Sequence, residues 1–178
     1  MRTSSRSIPD ASARLLAAVQ SGRFAKMDYD EQQELYNAAA YESPENLENI
    51  KPAEERYSKE QMDALAYYHS SLFDDINRNL RRGGDGGRYV KILDGMFDHK
   101  LKEPVIVYRG TETAPVRGAD KAFQSTSLSA AKSSAFTNDS KHLHAYLIPA
   151  GTPVIYIGGS EEEIILPRGF NLYKYRIK

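Results

Sequence analysis

The hydrophobic period of this chain changes once, at Pro104, and that change limits the folds open to it. Before it, apolar residues recur at three- and four-residue steps. After it, they come in short β-branched runs divided by turn residues. Helices first and strands afterwards is the order of an α+β domain, not the alternation of a doubly wound sheet. At 178 residues the chain can bury one sizeable core and is short for two.

Residues 1–9 read as a polar leader. Asp10 to Val19 predicts a helix capped by Asp10, with Ala11, Leu15, Leu16 and Val19 as its apolar residues and Gly22 ending it. A second helix is expected from Tyr29 to Tyr41, starting near Asp28, and Glu42 to Arg56 is a connector. The strongest helical pattern runs from Ser58 to Arg82. Ser58 and Gln61 have the spacing of a capping box, and Met62, Leu65, His69, Leu72, Ile76 and Leu80 form one apolar stripe. Gly83 to Gly87 stops it and is expected to be a mobile loop, followed by a helix from Tyr89 to Phe97. Strands are expected at Val105–Tyr108, Phe123–Leu128, Leu143–Ile148, Val154–Ile157, Ile164–Leu166 and Phe170–Ile177.

Lys+Arg and Asp+Glu balance at 24 each, so no global field points to nucleic acid or a membrane surface. No apolar run is long enough to span a bilayer, and Met1 to Arg6 lacks the apolar stretch of a secretory signal. With no cysteine there is no disulfide or thiol chemistry, and four scattered histidines make a poor zinc ligand set. No metal is expected.

The stretch Gly158 to Gly169 runs three carboxylates directly into Ile164-Ile165-Leu166. Extended backbone would project Glu161 and Glu163 from one side and Glu162 from the other. Two carboxylates so placed can serve one small site, although acidic residues at a strand start also act as guards against edge pairing. Upstream, Arg109 ends an apolar strand, and a guanidinium there needs an anion to offset its desolvation. Ser125-Thr126-Ser127 adds hydroxyls. In chain order these give a cation for a phosphate, hydroxyls to orient, and carboxylates for chemistry.

With these pieces in place, the chain from about Ser58 to Lys178 resembles the arginine–serine–glutamate class of mono-ADP-ribosyltransferases, which includes bacterial toxins and phage-encoded enzymes. The resemblance rests on Ile76 to Arg81, Val107-Tyr108-Arg109-Gly110, Phe123 to Ser129, Ile148 to Thr152, and Glu161 to Gly169. It implies N-terminal helices followed by two facing, mainly antiparallel sheets around an NAD cleft. Residues 1–57 would be a helical leader and 58–178 the catalytic core of one compact domain.

Carried over by position, the resemblance implies that Arg109 binds the NAD phosphates and that the Gly110 backbone holds the nicotinamide carboxamide. Ser125 would orient Glu163, and Glu163 would bind the ribose and stabilise its developing positive charge as nicotinamide leaves. Glu161, two residues before Glu163, goes in this class with arginine as acceptor; a carboxylate there can orient a guanidinium and help remove its proton. Asn77, Phe73, Phe136 and Thr126 are further cofactor-binding candidates, and Tyr68 is either cleft lining or ordinary core. Asp139 stands where the class often has a phosphate-binding arginine. Lys132 and Lys141 are the candidate substitutes, and Arg117 reads as a solvated loop residue.

His142 and His144 read as structural or exposed, and no Ser-His-Asp arrangement is signalled. The activity that the resemblance implies is transfer of ADP-ribose from NAD to an arginine of a target protein, and a monomer is expected. The expected location is the producer's cytoplasm or a cell into which the protein is delivered. An NAD glycohydrolase, a silent binding module and a glycosidase using the glutamates are the rivals.

Overall fold

Strand β1 (Val105–Thr111) shows the plan of the molecule through its alternation. Val105 and Val107 enter one apolar cluster, while Ile106 and Tyr108 pack into another on the opposite face. The computed structural model describes residues 7–42, 52–70, 73–137, 142–158 and 162–178, with only the backbone of Phe73.

Four further strands are β2 (Gln124–Ser127), β3 (His142–Ile148), β4 (Ile155–Gly158) and β5 (Glu163–Leu166). They pair antiparallel in the order β3-β1-β2-β5-β4. β1 and β3 pair along seven residues, from Val105↔Ile148 to Thr111↔His142, whereas β1 and β2 share only Tyr108↔Ser127. The two sheets expected from the sequence are thus joined at one point. Their inner faces share a core containing Val107 and Ile148 from one half and Ile164 and Leu166 from the other. Val107, Ile148 and Leu166 have no exposed surface, and burying each such side chain contributes about 1.5–3 kcal/mol.

Helices cover both outer faces. Helices α1 (Asp10–Gln20) and α2 (Tyr29–Ala40), with the short α6 (Ala130–Ser134), pack on β1 and β3 through Leu15, Leu16, Ala39 and Ala131 against Tyr108, Leu143 and Ala145. Helices α3 (Lys59–His69), α4 (Phe73–Arg81) and α5 (Gly87–Asp94) pack on β5 and β4 through Leu65, Leu80, Leu93, Ile155 and Ile165. Capping boxes start α2, from Asp28 and Glu31, and α3, from Ser58 and Gln61.

Three expectations are corrected. The single helix from Ser58 to Arg82 is two, because the chain turns extended at Ser70 (ψ −179°), whose Oγ donates to Tyr67 O at 2.6 Å. Of the predicted stripe, Leu72 lies outside the described residues. The glycine loop is shorter than expected, since Gly87 already opens α5 and the Asn79 side chain accepts from Gly86 N at 3.1 Å. Phe170–Ile177 is not a strand: Asn171 caps a 3-10 turn over Leu172–Tyr175, and only an isolated bridge, Tyr146↔Arg176, reaches the sheet.

Next to that bridge, His144 on β3 is half-buried. Its Nδ1 lies 3.3 Å from Gln20 Nε2, and its Nε2 has no hydrogen-bond partner among the described residues. Burial first, then Arg176 and His142, pushes its pKa from 6.5 down to about 4. Between those values the unfolded chain binds the proton and the folded one does not. Its stabilising contribution is therefore present above pH 6.5 and is lost as pH falls towards 4. After solvent screening, we expect the wild type to lose about 1 kcal/mol more across that window than His144→Gln in denaturant titrations.

Candidate active site

β2 is the strand on which the candidate residues converge. Ser127 is the Cα partner of both Tyr108 on β1 and Glu163 on β5. Glu163 opens β5 and is only 6% exposed. Before it, Glu162 is the one non-glycine residue with positive φ (48°) among the described residues, a conformation that costs an L-residue about 1 kcal/mol. Leu128 N donates to Glu162 O at 3.1 Å and fixes that turn. The expected strand alternation through the three glutamates therefore fails at Glu162, because the chain is not extended there. Glu161 itself lies outside the described residues.

Arg109 projects from β1 and donates from Nη1 to Ser125 O at 2.6 Å. It forms no ion pair with a carboxylate among the described residues; Asp120 is held by Arg81 through two hydrogen bonds of 3.1 and 3.0 Å. Burial pulls the Arg109 pKa below the usual guanidinium range, while Tyr68 and Tyr146 oppose that. Among the described residues, this desolvated guanidinium has five donors and one neutral acceptor, so these residues supply it no anion. Its neighbour Gly110 is a glycine for a packing reason: a Cβ there would overlap Ser133 O and lie 2.6 Å from Thr137 Cγ2.

The end of α3 supplies two more groups. Tyr68 is both of the things that the sequence left open. It is 1% exposed, with its ring against Phe123 edge-on, yet its hydroxyl lies 3.4 Å from Ser125 Oγ and accepts from Asn77 Nδ2 at 3.1 Å. Burial raises its pKa; the Ser125 and Asn77 hydrogen bonds oppose this and the Glu163 charge adds to it. Asn77 is thus a buried residue behind Tyr68, and its Oδ1 has no partner among the described residues.

His69, which the sequence reading placed in the apolar stripe, instead contacts Glu163 through Nε2 and Oε2. Ser125 Oγ faces the Tyr68 hydroxyl in this geometry, and the side-chain contact of Glu163 is with His69. In the sequence His69 stands out only as an imidazole in a stripe otherwise made of Met, Leu and Ile, which does not say what it meets.

The remaining candidates are placed unevenly. Thr126 is buried, and its Oγ1 donates to Ile164 O at 2.8 Å, tying β2 to β5. Phe136 follows α6 and is 55% exposed, a free aromatic face near Gly110's packing partners Ser133 and Thr137. The Phe73 side chain, Asp139 and Lys141 lie outside the described residues. Lys132 is in α6, and Arg117 sits over the Tyr173 ring at 5.4 Å.

No family model matches the chain, and no curated protein does. Solved structures do. The enzymatic component C2-I of the C2-toxin from Clostridium botulinum superposes with a TM-score of 0.55 at 19% identity, over 70% of this chain and 40% of that one. This chain therefore spans less than half of that component's length. Exoenzyme S from Pseudomonas aeruginosa, in complex with human 14-3-3 protein beta and bound to carba-NAD, gives 0.52 at 17% identity over 90% of this chain and 78% of that one. The eukaryotic mono-ADP-ribosyltransferase ART2.2 gives 0.52 at 19% identity, over 88% and 74%. The chain has the ADP-ribosyltransferase fold.

Proposed function

We propose that this protein is a mono-ADP-ribosyltransferase that moves ADP-ribose from NAD to an arginine of a target protein and releases nicotinamide. The observation that carries the reading is Arg109. Its desolvated guanidinium lacks a carboxylate partner among the described residues and is fixed to the same strand that pairs with Glu163. The residues fit NAD: Arg109 supplies the phosphate partner and Phe136 offers an exposed aromatic face, while Asn77 stands behind Tyr68 and supports its hydroxyl. Exoenzyme S bound to carba-NAD on the same fold supports this choice of substrate.

In this reading Glu163 accepts the ribose hydroxyl and offsets the positive charge that grows on the sugar as the bond to nicotinamide breaks. Arg109 holds the phosphates in place while that bond lengthens. Glu161 orients the acceptor guanidinium and takes its proton, leaving ADP-ribose joined to the arginine nitrogen. The choice of arginine rests on Glu161 alone.

Incubation with labelled NAD and a mixed protein lysate tests both levels. Wild-type protein is expected to release nicotinamide and label protein. Glu161→Gln is expected to keep nicotinamide release and lose labelling roughly a hundredfold, the scale of one general base. Release without labelled protein under any condition would support a glycohydrolase, and no NAD consumption by the wild type would leave a binding module. An Arg109→Lys variant is expected to raise the KM for NAD roughly tenfold, since an ammonium cannot form the two-pronged contact with phosphate.

A further inference from the structure

The last turn of α3 touches two strands through consecutive residues. Tyr68 hydroxyl meets Ser125 Oγ on β2 at 3.4 Å, and His69 Nε2 meets Glu163 Oε2 on β5. A carboxylate can only accept, so the imidazole donates from Nε2. Glu163 makes no other side-chain hydrogen bond among the described residues. The two partners differ in exposure: the Glu163 side chain is 9% exposed and that of His69 44%.

We infer that His69 is a positioning residue for Glu163: the end of α3 holds one oxygen of the carboxylate and leaves the other to face the ribose of NAD. The inference rests on the transferase reading, and it assigns a role that Ser125 does not fill in this geometry.

The physical argument is one of rotamer freedom. Glu163 stands at the first position of β5, directly after a residue held in a left-handed conformation, so only its backbone is fixed by pairing with Ser127. A glutamate carboxylate has three rotatable bonds. Without a side-chain partner it would sample several positions around the reacting centre, and each unproductive one lowers turnover. One hydrogen bond from a helix end selects among them. That helix end is itself held, because Ala64, Leu65 and Tyr68 are buried against Phe123 and Ile165.

Three forms of the full chain test this: His69→Ala, His69→Gln and Glu163→Gln. His69→Ala is expected to lower kcat for nicotinamide release roughly ten- to a hundredfold, the scale of a misplaced group, while the KM for NAD and the melting temperature stay close to the wild type. His69→Gln, whose side-chain amide can donate from a similar reach, is expected to recover most of the loss, and added imidazole is expected to rescue His69→Ala partly. A second measurement does not depend on turnover: the Nε2 resonance of His69, identified by its loss in His69→Gln, should shift in Glu163→Gln.

Wild-type kcat in His69→Ala overturns the inference. So does a fall in kcat, KM and melting temperature together, which would make His69 structural, and so does a His69→Gln as slow as His69→Ala. An unmoved imidazole resonance in Glu163→Gln also overturns it, whatever the kinetics. Wild-type protein that consumes no NAD overturns the transferase reading, a result distinct from an active wild type with an unaffected His69→Ala.

Discussion

Glu163→Gln is expected to lose NAD turnover by roughly a thousandfold while remaining folded, the scale observed when one preorganised electrostatic group is removed from a reacting centre. The substitution keeps the shape of the side chain and removes its charge. The substituted amide can still accept from His69 Nε2 through its oxygen, so the contact at the end of α3 survives. Pairing of β5 with Ser127 and Thr126 uses the backbone and is untouched. Since a 6% exposed carboxylate is costly to desolvate, its neutral replacement should melt at or slightly above the wild-type temperature. A dead but stable variant therefore locates the loss in chemistry. Nicotinamide release measured beside a thermal melt decides it: a variant that keeps more than about a tenth of wild-type turnover would remove Glu163 from the centre of the mechanism.

Much of this centre could be read from the sequence because it lies on strands. Val105, Val107, Ile106 and Tyr108 alternate between two cores as their spacing requires, and that puts the Arg109 side chain on the Val107 face, although β1 runs on past it to Thr111. The capping box at Ser58 was equally plain, since both partners lie within one turn. What was hidden depends on contacts between residues far apart in the chain. His69 meets Glu163 across 94 positions, and no local pattern separates a histidine that fills a stripe from one that reaches a sheet.

The break after His69 was hidden for a related reason. The apolar steps continue from Leu65 to Ile76, while the chain is stopped by a serine bonding its own backbone. Glu162 shows the opposite limit: its left-handed backbone contradicts the extended pattern that its neighbours suggest, and such strain collects where a site must be shaped. The C-terminal segment misled because Tyr173, Tyr175 and Ile177 alternate like a strand, yet Tyr173 and Arg117 stack and Asn171 caps a turn.

Gly110→Ala is expected to be the most damaging small substitution for stability, lowering the melting temperature by about 6–12 °C, equivalent to roughly 3 kcal/mol for a domain of this size. The added methyl would overlap the backbone oxygen of Ser133 and crowd Thr137 Cγ2 at 2.6 Å. A backbone oxygen cannot rotate out of the way, so α6 must lift from β1. Lifting it stretches the bond that Ser133 Oγ donates to Tyr108 O at 3.0 Å and opens the packing of Ala130 and Ala131 against Leu15 and Leu143. The disturbance also reaches function, because Arg109 is the preceding residue and Phe136 follows the same helix. Two roles for this glycine can then be separated. If its purpose is to let α6 approach, Gly110→Ala loses stability and NAD binding together, and binding returns at low temperature where the protein is folded. If its purpose is close approach of the nicotinamide carboxamide, the variant melts like the wild type and NAD binding stays lost at every temperature. The overlap with Ser133 argues for the first outcome, and a melt followed by NAD titration at two temperatures decides between them.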